Sequence, residues 1–186
     1  MRKIGFVTSN KHKLAQMQIV LSAYGVELEQ IKIDYPEDKE KNMEEIAREA
    51  SKNLAEKLGR ELIVEDTGLY FEAYNNFPGA QPKFVYNSLG FKGIFKLLLD
   101  ENRGAYFKTV IGYCSPGKDP KTFDGQMNGV IAEEVLLPEK EAMPYEHIFI
   151  PEGYAKTMVE MDVDLKNSFS HRGKATRKFG EFIKNN

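Results

Sequence analysis

Short apolar runs that stop at polar residues alternate with helical repeats along the first third of the chain. Ile4-Gly5-Phe6-Val7 has the pattern of a buried strand and ends at Thr8-Ser9-Asn10. Leu14, Met17, Leu21 and Tyr24 then recur at helical spacing, and Gly25 ends that helix. Glu27 to Ile33 alternates as a second strand, broken at Tyr35-Pro36 because a residue before proline is driven towards extended backbone. Met43 to Leu58 predicts a helix with Ile46, Ala50, Leu54 and Leu58 on one face and Gly59 as its stop. Leu62-Ile63-Val64 is a third short strand that runs directly into Glu65-Asp66. Two helices following two strands predict an α/β architecture. Later segments are more antiparallel in character: Leu69 to Ala73 before an Asn75-Asn76 turn, Tyr106 to Cys114, Thr122 to Val135 and His147 to Ile150. Gly93 to Leu99 and Lys174 to Ile183 are the remaining helices, the last with Ala175, Phe179 and Phe182/Ile183 on its core face. The expectation is a mixed α/β fold, α+β-like in its second half, with helices packed around one sheet. No repeat, low-complexity tract or long linker marks a boundary, so residues 1–186 are expected to form one domain.

Composition narrows the function classes. The 186 residues suffice for a hydrophobic core, and 26 basic against 28 acidic residues leave no global field directed at nucleic acid or an anionic membrane. Any phosphate binding must come from a local cluster. The one cysteine, Cys114, cannot form an internal disulfide and sits in a strand pattern, as a small buried hydrophobe does. Nowhere is there a span of about 20 apolar residues, and Ile4 to Val7 is too short for a signal-peptide apolar region. A cytoplasmic location is the expectation.

Three polar clusters carry the candidate chemistry. Thr8-Ser9-Asn10 with Lys13 follows a buried strand and opens a helix, where unpaired backbone N–H groups and the positive dipole end favour phosphate. The same residues also suit a simple helix cap at Ser9 or Asn10. Glu65 and Asp66 stand at the carboxyl end of a strand, where α/β folds place ligands. Adjacent strand side chains point to opposite faces, so both serve one site only if the chain bends at Thr67-Gly68. Otherwise they are a solvated acidic turn. Glu37, in another loop, is a candidate second carboxylate for Mg²⁺, which takes one or two carboxylates with waters and phosphate oxygens. Lys166, His171 and Arg172 surround Ser170 before the last helix; Ser170 suits an N-cap, while the cations oppose the helix dipole unless an anion joins them. His12 and His147 make no metal-ligand spacing, and Met143-Pro144-Tyr145-Glu146 is an ordinary loop or the flank of a purine ring.

In this order the clusters resemble the inosine triphosphate pyrophosphatase, or Ham1-like, family. The resemblance runs almost end to end through Val7-Thr8-Ser9-Asn10-x-x-Lys13, Tyr35-Pro36-Glu37, Val64-Glu65-Asp66-Thr67-Gly68-Leu69, Phe77-Pro78-Gly79, Phe149-Ile150-Pro151, Met158-Val159-Glu160-Met161 and Lys166-Asn167-x-x-Ser170-His171-Arg172. It implies Mg²⁺-dependent hydrolysis of aberrant purine nucleoside triphosphates (ITP, dITP, XTP) to the monophosphate and pyrophosphate, by an elongated two-lobed α/β protein with a nucleotide cleft, usually a homodimer. The loop Thr8, Ser9, Asn10, Lys11, His12 and Lys13 resembles the family's triphosphate loop. Glu37 and Asp66 match its metal ligands, and Asp66 also matches the proton acceptor for the attacking water. Glu65 matches a residue supporting the metal, Thr67 a substrate contact, Lys52 a lysine that reaches the phosphates, and Lys166, His171 and Arg172 the residues that hold the base. Two positions depart from the pattern. Met143-Pro144-Tyr145-Glu146 stands where the family has Phe-Gly-Tyr/Trp-Asp around the base. Ser9 stands where the family has Gly, and a serine adopts positive φ at greater cost. The alternatives are a Maf-like pyrophosphatase acting on pyrimidine or modified nucleotides, and a catalytically silent nucleotide-binding protein.

Overall fold

The computed structural model describes residues 1–35 and 41–186; Glu37 lies outside the described residues. Strand β1 (Arg2–Val7) buries Ile4 to Val7 and pairs in parallel with β2 (Val26–Ile31) on one side and β3 (Leu62–Phe71) on the other. Helix α1 (Lys11–Ser22) joins β1 to β2, and α2 (Met43–Leu58) precedes β3. Helix α2 forms where the sequence predicts it. Asn42 and Glu45 close a capping box (Glu45 N–H to Asn42 Oδ1, 3.0 Å; Asn42 N–H to Glu45 Oε2, 3.2 Å), and Gly59 ends the helix at φ 61°. Its buried stripe is Ile46, Ala47, Ala50 and Leu54.

Among the described residues the strands form a seven-stranded sheet in the order β2-β1-β3-β5-β6-β7, with β4 (Pro78–Gly79) on β3; the others are β5 (Gly104–Cys114), β6 (Lys121–Ile131) and β7 (Phe149–Pro151). Pairing is parallel around β1 and antiparallel for β3 with β4 and β6 with β7, so the sheet is mixed, as expected. The remaining helices are α3 (Pro82–Leu97), α4 (Val163–Phe169) and α5 (His171–Lys184), and no helix among the described residues is long and apolar enough to cross a membrane.

The chain forms two compact units. One comprises Met1–Asp66, Thr109–Gly125 and His171–Asn186, around Ile4, Phe6, Leu21, Ile63, Ile111 and Phe179. The other comprises Thr67–Lys108 and Gln126–Ser170, around Leu69, Phe71, Ile94, Leu98, Phe107 and Phe149. Strands β3, β5 and β6 contribute residues to both.

Several elements differ from the sequence expectation. Leu62 to Val64 and Leu69 to Ala73 are not two strands: β3 runs unbroken for 10 residues, because Thr67-Gly68 stays extended and Leu69 and Tyr70 pair with Gly79 and Pro78. Helix α3 starts at Pro82 rather than Gly93; Gly90, at φ 60° and ψ −178°, interrupts it and hides its periodicity. Helix α4 was not expected; its 7 residues bury only Asn167, too little apolar pattern to read. The strand expected from His147 is a 3-10 turn over Pro144–His147 followed by β7.

Candidate active site

In the first unit, β1 ends at Val7 and the chain turns through Thr8-Ser9-Asn10 into α1. Asn10 is the N-cap, and its Oδ1 accepts from the N–H groups of His12 (2.9 Å) and Lys13 (3.2 Å). Thr8 Oγ1 accepts from the Asn10 N–H at 3.1 Å, and Gln30 holds the Thr8 carbonyl at 3.1 Å. The non-glycine residues with positive φ among those described are Asn76, Asp100 and Leu137, so Ser9 keeps ordinary backbone and its exchange for glycine brings no left-handed strain. Ser9, Lys11 and His12 are exposed, while Thr8 and Lys13 are half-buried.

Lys13 turns inward from α1. Its ammonium forms an ion pair with Glu65 Oε2 and donates to the Glu65 carbonyl at 3.3 Å. Arg172, in the first turn of α5, donates Nε to Glu65 Oε1 at 3.0 Å and Nη1 to Gln16 Oε1 at 2.6 Å. Thr109 on β5 completes the group, Oγ1 to Glu65 Oε1 at 3.4 Å. The Glu65 side chain has no exposed area and that of Arg172 only 3%, so these charges interact away from bulk water. Two cations from separate helices thus meet on one buried carboxylate.

His171 is buried beside this group. Burial holds its imidazole well below the usual histidine range; the charges of Arg172, Lys13 and Lys174 act in the same direction, and Glu65 opposes them. His171 is therefore neutral at pH 7, with one ring nitrogen a donor and the other an acceptor. The first turn of α5 reaches this position because β6 presents Gly125. A Cβ there would come within 2.8 Å of the Ala175 nitrogen and still nearer the His171 carbonyl oxygen.

Asp66 follows Glu65 on the unbroken β3 and is directed to the opposite face, which matches its partial exposure beside a fully buried Glu65. The bend at Thr67-Gly68 that would bring both carboxylates to one site is absent, and Thr67 is a half-buried strand residue. Among the described residues no three His, Cys, Asp or Glu side chains are grouped to hold a metal. Glu65 does not fit a metal site, since Lys13 and Arg172 engage its two oxygens. Asp66 fits by its chemistry, as a hard oxygen donor that phosphate oxygens could join. Lys52 is exposed on α2, and its charge acts on Cys114, the last residue of β5.

The second unit holds a different pair. Met143 precedes the 3-10 turn Pro144–His147, whose Glu146 is buried and accepts from Lys166 of α4 at 2.7 Å. Tyr145 is buried too, donating its hydroxyl to the Pro82 carbonyl at 3.0 Å and packing edge-on against Tyr86 and Phe107. Met143 and Pro144 remain half-exposed. Sequence reasoning missed Gln16 and Thr109; neither stands in a motif, and only the fold brings them to Arg172 and Glu65.

The fold and this cluster define an α/β protein with a buried, cation-rich site at the end of a parallel strand pair. The chain belongs to the Ham1 family, whose model matches residues 4–182. It is 45% identical over 185 residues to a dITP/XTP pyrophosphatase of Methanopyrus kandleri, covering 99% of this chain and 97% of that one. It is 39% identical over 185 residues to the dITP/XTP pyrophosphatase of Thermococcus kodakarensis, covering 99% and 98% of the two chains. A HAM1 protein structure from Coxiella burnetii covers 100% of both chains with a TM-score of 0.82 at 25% identity.

Proposed function

We propose that this chain hydrolyses aberrant purine nucleoside triphosphates, of the dITP and XTP type, to the nucleoside monophosphate and pyrophosphate. The observation that carries the reading is the pairing of Lys13 and Arg172 on one buried carboxylate, in a chain 45% identical along its length to a dITP/XTP pyrophosphatase. The full-length relationship favours it over a Maf-like pyrimidine enzyme.

In this reading the loop from Thr8 to Lys13 and the first turn of α1 receive phosphate oxygens. Asp66 takes the proton of a water whose oxygen bonds to the α-phosphorus, while the bond from that phosphorus to the bridging oxygen breaks and pyrophosphate leaves. Asp66 and Glu37 would hold Mg²⁺, which when bound neutralises charge on the phosphates and lowers the pKa of the attacking water. Neutral His171 is assigned as a donor to a 6-oxo group. Against adenine's 6-amino group that buried donor would stay unmatched, which gives strong discrimination. Met143, Pro144, Tyr145, Glu146 and Lys166 are also assigned to the base. A cytoplasmic homodimer, one domain per chain, completes it.

The test is hydrolysis of ITP, XTP, dITP, GTP, ATP, UTP and CTP with and without Mg²⁺, resolving pyrophosphate from orthophosphate. The expected result is metal-dependent pyrophosphate release that favours the oxo-purines. Nucleotide binding without turnover would return the silent binding protein. Turnover confined to UTP or CTP would return the pyrimidine enzyme.

A further inference from the structure

We propose that Glu65 is a positioning residue that fixes Lys13 and Arg172 as a pair, with Gln16 completing the hold on Arg172, and that it is neither a metal ligand nor a proton acceptor. The proposal rests on the function proposed above for its kinetic consequences only; its binding consequences stand independently.

The geometry points one way. Both Glu65 oxygens are engaged, Oε2 by the Lys13 ammonium and Oε1 by Arg172 Nε (3.0 Å) and Thr109 Oγ1 (3.4 Å). A metal ion at this carboxylate would have to displace or sit against two cations. Alternation along β3 turns Glu65 away from the face of Asp66, so the two do not converge on one ion. The partners come from separate elements, Lys13 from α1, Arg172 from α5 and Thr109 from β5, and Glu65 is the atom group they share. Lys13 is held a second time by the Glu65 carbonyl at 3.3 Å, which ties its direction to the strand. Gln16, one helical turn beyond Lys13 on α1, accepts from Arg172 Nη1 at 2.6 Å, so α1 controls both cations, one covalently and one through this hydrogen bond. A planar guanidinium held at Nε and Nη1 has one orientation, and its remaining N–H groups have fixed directions. A ligand that meets Lys13 therefore meets an already oriented Arg172.

The experiment uses the full chain as wild type, Glu65→Gln and Gln16→Met. Inorganic pyrophosphate is titrated calorimetrically in EDTA, and XTP hydrolysis is followed across Mg²⁺ concentration and pH. In Glu65→Gln, metal-free pyrophosphate affinity is expected to fall about tenfold, since a buried charge pair has lost its anchor. Its kcat/KM should fall about 100-fold, the scale of a misplaced binding group, while the half-saturating Mg²⁺ concentration and the acid limb of the pH profile stay as in wild type. Gln16→Met should raise KM by about tenfold with kcat held, the scale of one hydrogen bond to a charged group.

A rise of about tenfold or more in half-saturating Mg²⁺ for Glu65→Gln would make Glu65 part of the metal site and overturn the proposal. Loss of the acid limb would make it the proton acceptor, with the same consequence. So would unchanged or raised pyrophosphate affinity in Glu65→Gln, since removing a negative charge beside two cations raises it unless their orientation matters, or no pyrophosphate binding by the wild type. If Glu65→Gln does not fold, Glu65→Asp, which keeps the charge and shortens its reach, is read by the same affinity, Mg²⁺ and pH criteria. If the wild type binds pyrophosphate but hydrolyses no nucleotide, the functional reading fails, and the binding ratios still decide the role of Glu65.

Discussion

Two buried carboxylates in this molecule are held by cations in opposite ways. Glu65, in the first unit, is shared by Lys13 and Arg172, which lie 52 and 107 positions away in sequence, and its side chain is wholly buried. Glu146, in the second unit, has Lys166, 20 positions away at 2.7 Å, and the lysine side chain keeps 13% of its exposure. Glu65 ties α1 and α5 to β3 through two cations, whereas Glu146 ties a single cation of α4 to a 3-10 turn.

The largest expected effect separates the two regions by stability. Glu65→Ala leaves two buried cations without their shared partner and should cost about 3–5 kcal/mol in urea unfolding. A loss below about 1 kcal/mol would mean that water reaches Lys13 and Arg172, and the contrast with Glu146 would collapse. Next is Gly125→Ala, which pushes a methyl group into the start of α5 and should cost about 1–3 kcal/mol by overpacking. Because that turn carries His171 and Arg172, nucleotide affinity should fall with it, whereas a purely local effect would leave affinity unchanged.

The third prediction concerns pH. His171 is held below its ordinary value of 6.5 in the folded protein, chiefly by burial, so once the pH drops beneath 6.5 the unfolded chain binds the proton more readily. Stability contributed by neutral His171 is therefore complete above that value and is lost as the pH falls, by up to about 1.4 kcal/mol per pH unit. Urea midpoints between pH 7.5 and about 5 should show this slope in the wild type. It should persist in Glu146→Gln and flatten in His171→Asn; equal slopes in all three would remove the titration from the Glu65 region. The smallest effect is Glu146→Gln itself, about 1 kcal/mol, because Lys166 can turn to solvent and the amide still accepts a hydrogen bond.

Much of the first unit was legible because its signals are local. Helix α2 shows its buried stripe at Ile46, Ala50 and Leu54, and its glycine stop, within one stretch of sequence. The second unit was less so: the kink at Gly90 masks the first half of α3, and α4 has little apolar pattern to display. At the site, order along the chain named Lys13, Glu65, Asp66, His171 and Arg172, but not which of them meet. Periodicity reports which face a residue occupies on its own element, and the Lys13–Glu65–Arg172 contact joins three elements. The same limit hid Gln16 and Thr109, and it left open whether the chain bends at Thr67-Gly68 to bring Glu65 and Asp66 together, where the strand runs on unbroken.

The most direct test of the central claim is hydrolysis of XTP in ¹⁸O-labelled water, with mass analysis of the products. Attack at the α-phosphorus leaves one labelled oxygen in the xanthosine monophosphate and none in the pyrophosphate. Label in pyrophosphate, or release of labelled orthophosphate with the diphosphate left behind, would contradict it.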